Sequence, residues 1–323
     1  MFSDVCSVVI YKFFHVRYPL LQIMLYIYTG MNSSTKHIIA IIFSSAICLL
    51  FALLLASNSI QFENYSSLLT LYFIIFGIQW IVFIPAYLFH TERFFDLTGG
   101  LTYITAISLA LFWKSSNSGL TAHDIILFLM VITWAMRLSS FLFLRVIRAG
   151  EDTRFVTIKT SFLNFLMTWS LQGMWVFLTL LAAIVALTSK NSEQSIGFLI
   201  AGTLIWLTGM IIEIVADTQK SKFNTIASNK GNFISTGLWS ISRHPNYLGE
   251  IILWIGIAVT AISYLEGIQF ISLVSPLFVY LLLAKISGVP LLEAQAIERW
   301  GQDSAYKQYC EKTPVLFPKM RNK

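Results

Sequence analysis

Apolar residues along this chain fall into long blocks separated by short polar breaks. A helix crosses a bilayer in about 20 mainly apolar residues, and eight blocks meet or approach that length: 38–57, 68–90, 97–113, 124–144, 162–187, 196–216, 247–264 and 267–286. The third and seventh are short, and the last two are also compatible with a tight helical hairpin in place of two spans. The pattern predicts an all-α, polytopic membrane bundle of about seven to eight transmembrane helices.

An earlier apolar run, 5–30, is interrupted by Lys12, His15, Arg17 and Pro19. The following "MNSSTKH" (31–37) reads as a translation start, with a methionine, a short polar lead and then the first clean span. The expected organisation is therefore a mis-annotated extension over 1–30, N-terminal transmembrane helices over 31–129, and a C-terminal membrane domain over 130–323. A peptide starting at Met1 in mass spectrometry of the natural protein would refute the extension. No small-residue cleavage site follows a proper hydrophobic region, so a cleaved secretory signal is not expected.

Composition strengthens the membrane reading. Charged residues make up 12% of the chain and hydrophobic ones 56%, against about 25% charged in soluble domains. Cys6, Cys48 and Cys310 lie far apart with no CxxC spacing, which predicts free thiols, with neither a disulfide framework nor a metal site. Lys and Arg collect on one side when loops are counted alternately: Lys36, Arg93, then Arg145, Arg148, Arg154 and Lys159, then Lys220, Lys222, Lys230 and Arg243, then the C-terminal segment. The opposite side receives only Lys114 and Lys190. This asymmetry places both termini in the cytoplasm, and it accounts for the net charge of +6 without nucleic acid as a partner.

The chemistry-bearing residues gather on that basic side. Arg137 lies within the fourth block, where an ionisable group is a functional candidate. Arg145 and Arg148, three apart, share a face, and positive-inside anchoring with local ion pairs accounts for them equally well. The sixth block ends "GMIIEIVADTQKSKF", which sets Glu213 and Asp217 four apart on one helical face. A carboxylate at that depth is neutralised or paired, either in a salt bridge that holds helices together or at a ligand. Lys220, Lys222, Arg243 and His244 converge on the same side.

In "GLWSISRHPNYLGE" (237–250), Gly237 permits a turn and Pro245 suits the first turn of a new helix. A helix N-terminus there would favour a phosphate or carboxylate, with Arg243 and His244 beside it. Asn246 and Glu250, four apart, project from one face and can hydrogen-bond an amide, a ribose or a base, and Tyr247 stands between them. These residues predict a nucleotide-like cofactor cradle at a cytoplasmic rim.

"GLWSISRHPNYLGE" resembles the signature of the steroid 5-alpha-reductase C-terminal family, in its bacterial and plant branch catalogued as a domain of unknown function. The likeness runs back through "RLSSFLFLRVIRAGEDTRF" and "EIVADTQKSKF" and forward through "SGVPLLE" to "YKQYCEKTPVLFP", roughly residues 130–318. "RHPNY" alone is less specific, being shared with sterol reductases and similar to an element of isoprenylcysteine carboxyl methyltransferases. The resemblance implies a membrane reductase that passes a hydride from NADPH to a conjugated carbon–carbon double bond of a lipid-like, hydrophobic substrate. It also implies that Glu213, Asp217, Asn246 and Glu250 hold the dinucleotide, with Glu213 departing from the asparagine of the steroid enzymes. Glu293 in "SGVPLLEAQAIERWG" falls near an acidic residue that sterol reductases use as a proton donor. Leu291 and Leu292 depart from that local pattern, and a solvated position on an amphipathic tail helix is the competing reading.

Two other classes stay open: a methyltransferase using S-adenosylmethionine at the same rim, and a transporter or lipid-binding protein without chemistry. The first would ask less of Lys220, Lys222, Arg243 and His244, since that cofactor carries no phosphate. The second often shows internal repeats with broken helices, and none is visible here. Gln172 is expected to make a buried interhelical hydrogen bond, and Asp96 to cap the third span. A tail helix over 293–310, with Trp300, Tyr306 and Tyr309 as its aromatic face, is expected to pack like a lid.

Overall fold

The computed structural model describes residues 30–150, 152–191 and 194–318. The first 29 residues, with the interrupted apolar run and nearly all of the expected extension, lie outside the described residues. Among the described residues, eight helical stretches are long and apolar enough to cross a membrane, and they coincide with the eight apolar blocks. The chain is an all-α polytopic membrane protein. Its helices are α1 (Ser33–Leu54), α2 (Ser67–Leu88), α3 (Phe95–Ser118), α4 (Ala122–Ala149), α5 (Phe162–Thr188), α6 (Ile196–Thr225), α7 (Pro245–Ala261), α8 (Val274–Leu281), α9 (Val289–Trp300) and α10 (Ser304–Lys312). A two-residue hairpin, Gln61–Phe62 with Tyr65–Ser66, turns through left-handed Glu63 and Asn64.

The helix ends differ from the apolar blocks for local reasons. α3 runs past 113 to Ser118 because Lys114, 3% exposed, is hydrogen-bonded inside the protein, its Nζ donating to the carbonyls of Ser189 (3.1 Å) and Asn191 (3.4 Å). α4 starts with a capping box: Thr121 Oγ1 accepts from Asp124 N and Asp124 Oδ2 accepts from Thr121 N. The last two blocks are separate spans, Pro245–Tyr264 and Gly267–Trp300. The final one is composite: a 3-10 segment (Gly267–Leu273), α8, a π turn (Leu282–Ile286) and α9. The expected tail helix is split in two at Gly301–Asp303, because Asp303 Oδ1 accepts from Ala305 N (2.8 Å) and caps a new helix, α10.

By contacts the chain divides into two compact units, one of Gly30–Ala201 with Ile257–Ser275, the other of Gly202–Gly256 with the chain from Pro276 onward. In the first unit α5 is the central element, with α1, α2 and α3 packed on it and α4 packed on α3. Every residue of α5 from Val176 to Thr188 is buried, as expected of a helix apolar on all sides. Several polar side chains of this unit bond to one another or to the backbone across helices. Gln172 Nε2 donates to Phe95 O (3.1 Å), which is the interhelical bond expected of it. Gln79 Nε2 donates to Thr102 Oγ1 (2.9 Å), and Tyr264 OH to Asp124 Oδ1 (3.0 Å).

Asp96 does not cap α3. It lies inside the first turn, Phe94 occupies the cap position without a side-chain bond, and Arg154 and Arg145 are its charged neighbours. In the second unit α6 and α7 cross in direct backbone contact. A Cβ added at Gly209 would lie 2.4 Å from Leu253 N, one at Gly249 2.6 Å from Glu213 N, and one at Gly256 2.5 Å from Trp206 N. Small residues let membrane helices approach this closely, and here the approach sets Glu213 against the turn of α7 that carries Asn246 and Glu250.

Candidate functional site

α7 begins at Pro245, so the "SRHPNY" residues form its lead-in and first turn. The lead-in is fixed from two directions. Upstream, the 3-10 turn Gly237–Ser240 docks on the end of α6. Gln219 Oε1 accepts from Leu238 N (3.0 Å), Trp239 Nε1 donates to Ala216 O (3.1 Å), and Lys220 Nζ stands 4.7 Å over the Trp239 ring. Gly237 takes φ +62° there and leaves no room for a Cβ beside the Gln219 amide. Downstream, the segment after α10 runs alongside: Arg243 N donates to Pro314 O (2.9 Å), and Ser242 Oγ to Val315 O (3.4 Å).

Held in this way, Arg243 and His244 both reach Glu293 on α9. Arg243 Nη1 lies 2.6 Å from Glu293 Oε2, and His244 Nε2 lies 2.7 Å from Glu293 Oε1. The same Nη1 donates to Cys310 Sγ at 3.0 Å. The His244 ring stacks on Tyr247, with centroids 5.9 Å apart and an interplanar angle of 14°. Glu213 and Glu250 are buried, 2% and 6% exposed, while Asp217 and Lys220 are half-buried and Lys222 is exposed in the last turn of α6.

Asn246 Oδ1, an acceptor, and Arg243 Nε, a donor, are buried without a hydrogen-bond partner among the described residues. Buried polar groups in folded proteins are nearly always paired, so such orphans call for a ligand or water. Together with the Glu250 carboxylate one turn along α7, they offer acceptors for an amide or amine and a donor for a phosphate or ribose oxygen, which suits a nucleotide-type cofactor.

α10 forms the outer wall. Phe233 packs among Trp300, Tyr306 and Tyr309 at centroid distances of 5.9, 5.1 and 5.4 Å. Tyr309 OH donates to Trp239 O (2.7 Å) and Trp300 Nε1 to Gly231 O (2.6 Å). Burial pushes the Tyr306 and Tyr309 hydroxyls well above the ordinary tyrosine range, with the Arg243 guanidinium opposing it, so both stay neutral. The aromatic face expected of the tail therefore clamps the loop that leads into α7.

A family match covers residues 80–313. The chain belongs to the DUF1295 family, described as a protein of unknown function. The match begins within α2 and so takes in helices well before residue 130, where the sequence resemblance starts. Among curated proteins, the probable O-methyltransferase ustE of Ustilaginoidea virens is 31% identical over 94 residues, 28% of this chain and 33% of that protein. The alignment thus spans about a third of that relative's length. No solved structure is significantly similar to the chain.

The structure joins Arg243, His244, Tyr247 and Glu293 into one contact chain and carries Asn246 and Glu250 on the helix that begins there. Lys220 is used on Trp239 and Arg243 on Glu293, so of the cations expected for phosphates Lys222 is the exposed one. Cys310, Gln219, Trp239 and Pro314 were missed as parts of the site. The helix crossing had a signal: Gly202 and Gly209, and likewise Gly249 and Gly256, are seven residues apart, two turns on one helical face.

Proposed function

We propose that this protein is a membrane enzyme that binds NADPH at the rim built by Arg243, His244, Asn246, Tyr247, Glu250 and Glu293, and reduces a conjugated carbon–carbon double bond in a lipid-like substrate. The observation that carries the reading is the buried Asn246 Oδ1, which has no hydrogen-bond partner among the described residues and lies one helical turn from the Glu250 carboxylate. Two acceptors on one face suit a group with N–H donors, such as a carboxamide, and the ordered motifs around them resemble those of membrane reductases. When bound, NADPH supplies a hydride.

The chain's own residues then have distinct tasks. Asn246 and Glu250 orient, Arg243 Nε donates to an anionic or ribose oxygen, and Lys222 offers the exposed cation that a ribose phosphate requires. Glu293 accepts from Arg243 and His244 at once, which makes it a clamp that positions both. Reduction also consumes a proton, and the His244 Nε2···Glu293 Oε1 pair can carry one. We place this rim on the cytoplasmic face, following the excess of Lys and Arg on that side.

A second reading, S-adenosylmethionine-dependent methyl transfer, is favoured by the relative named as a probable O-methyltransferase and by the acidic character of Glu213, Asp217 and Glu250, which suits a cationic cofactor. Calorimetric titration of the detergent-solubilised protein with NADPH, NADH and S-adenosylmethionine separates the two. The reductase reading expects saturable NADPH binding, weakened about tenfold in Asn246→Ala, the cost of one buried hydrogen bond, and an NADPH preference over NADH that Lys222→Gln abolishes. Binding of S-adenosylmethionine alone would transfer the protein to the methyltransferases. Absence of binding by all three would leave transport or lipid binding as the better account.

A further inference from the structure

A cavity of about 490 Å³ lies in the first unit, where α2 ends, lined among others by His90, Thr91, Glu92, Arg93, Gly150 and Lys159. The proposed cofactor rim uses none of these residues. The cavity sits at the end of a span, on the side where Lys and Arg collect, and Leu88, Phe89 and Phe94 beside it are 68%, 77% and 52% exposed. A polar cavity flanked by exposed apolar side chains at that level meets both the headgroups and the upper acyl chains of a bilayer.

Its walls are built. Glu92, 4% exposed, takes Lys159 Nζ at 2.8 Å and the N–H of Asp152 at 3.1 Å, which ties the connection between α4 and α5 to the end of α2. His90 is held at φ +46°, a conformation that a non-glycine residue keeps only when its surroundings impose it, and its Nδ1 lies 3.3 Å from Lys159 O.

Charge decides the ligand class. Glu92 is answered by Lys159, Asp152 by Arg154 at 2.5 Å, and Asp96 lies near Arg145 and Arg154. Arg93 in the cavity wall and Arg148 on the last turn of α4 are exposed and have no carboxylate partner among the described residues. The C-termini of α2 and α4 converge here and each contributes about half a negative charge. Among the described residues two arginines outweigh them, and the balance of those residues is positive.

We infer that this cavity binds the phosphate group of an anionic phospholipid, with Arg93 as the principal contact and Arg148 and Lys159 in support. Basic pockets between transmembrane helices are where anionic headgroups are held.

The test is the thermal shift of the intact purified protein in nanodiscs of phosphatidylcholine with increasing phosphatidylglycerol, beside a parallel titration in detergent with inorganic phosphate. The comparison set is wild type, Arg93→Gln, Arg148→Gln and a control on the other side, Lys190→Gln. The expected result is saturable stabilisation by phosphatidylglycerol, at least fivefold weaker in Arg93→Gln and unchanged in Lys190→Gln. Saturation by inorganic phosphate with the same Arg93 dependence would confirm the phosphate site and assign it to a soluble source. Equal responses of Arg93→Gln and Lys190→Gln, or no preference for phosphatidylglycerol over phosphatidylcholine, would overturn the inference. The arginines are exposed and circular dichroism reports the fold. Should Arg93→Gln nevertheless unfold, competition between phosphatidylglycerol and inorganic phosphate on the wild-type protein decides the same question.

Discussion

Glu293 stands between a guanidinium and an imidazole, and its two oxygens are answered separately, Oε2 by Arg243 and Oε1 by His244. Replacing it by alanine leaves Arg243 and His244 without their shared acceptor in a partly buried setting. That should cost about 1–3 kcal/mol, read as a fall in Tm, together with weaker binding of whichever nucleotide the wild type takes. Glu293→Gln keeps the shape and one acceptor oxygen, so its Tm should fall between the two. Equal Tm values for the alanine variant and wild type would show that the contacts seen here carry no stability. Motif residues such as Arg243 and Asn246 were legible in the sequence because their types and spacing are unusual beside an apolar block. Cys310 and Pro314 were not legible, since a lone thiol and a backbone carbonyl acquire meaning only when the chain folds back onto Arg243.

Elements show the same division between local and long-range information. The apolar blocks located all eight spans, because the length needed to cross a bilayer is a property of each block alone. They misjudged the end of α3, where Lys114 looks like a loop charge until the carbonyls of Ser189 and Asn191 meet it. They also misjudged the tail, where Asp303 starts a second helix inside a run of helix-favouring residues. The crossing of α6 and α7 is a relation between two elements, and it makes a sharp prediction. In Gly249→Ala the new methyl would have to displace backbone atoms, at a cost of about 1–3 kcal/mol or more, and Glu213 would move relative to Asn246. Gly77→Ala in α2 meets nothing within 4 Å and should stabilise by about 0.5–1 kcal/mol, because alanine loses less conformational freedom than glycine in a helix. Thermal unfolding of both variants in one detergent checks the pair, and a similar loss in each would refute the account of the crossing.

At the scale of the whole molecule, the ion pairs at the end of α2 give a pH dependence. Burial alone would raise the Glu92 carboxyl, but the hydrogen bond from Lys159, the Asp152 N–H and the Lys159 charge outweigh it and hold it below its ordinary value. Asp152 is held down in the same manner by Arg154 and Arg145 against its own burial. A depressed carboxyl stabilises the fold above its unfolded value, about pH 4, and that contribution drains away as the pH falls through the folded value. Tm measured from pH 7 downward should therefore fall below about pH 4, with a shallower slope in Glu92→Gln. An unchanged slope would separate the acid response from this cluster. The backbone bond between Arg243 and Pro314 reaches further, into how the protein is made. Residues 313–315 follow the last apolar stretch, so they are synthesised after all eight described spans. A chain ending before them would carry all eight described spans yet leave the Arg243 N–H without the Pro314 carbonyl, so the lead-in to α7 is completed only by residues that follow the spans.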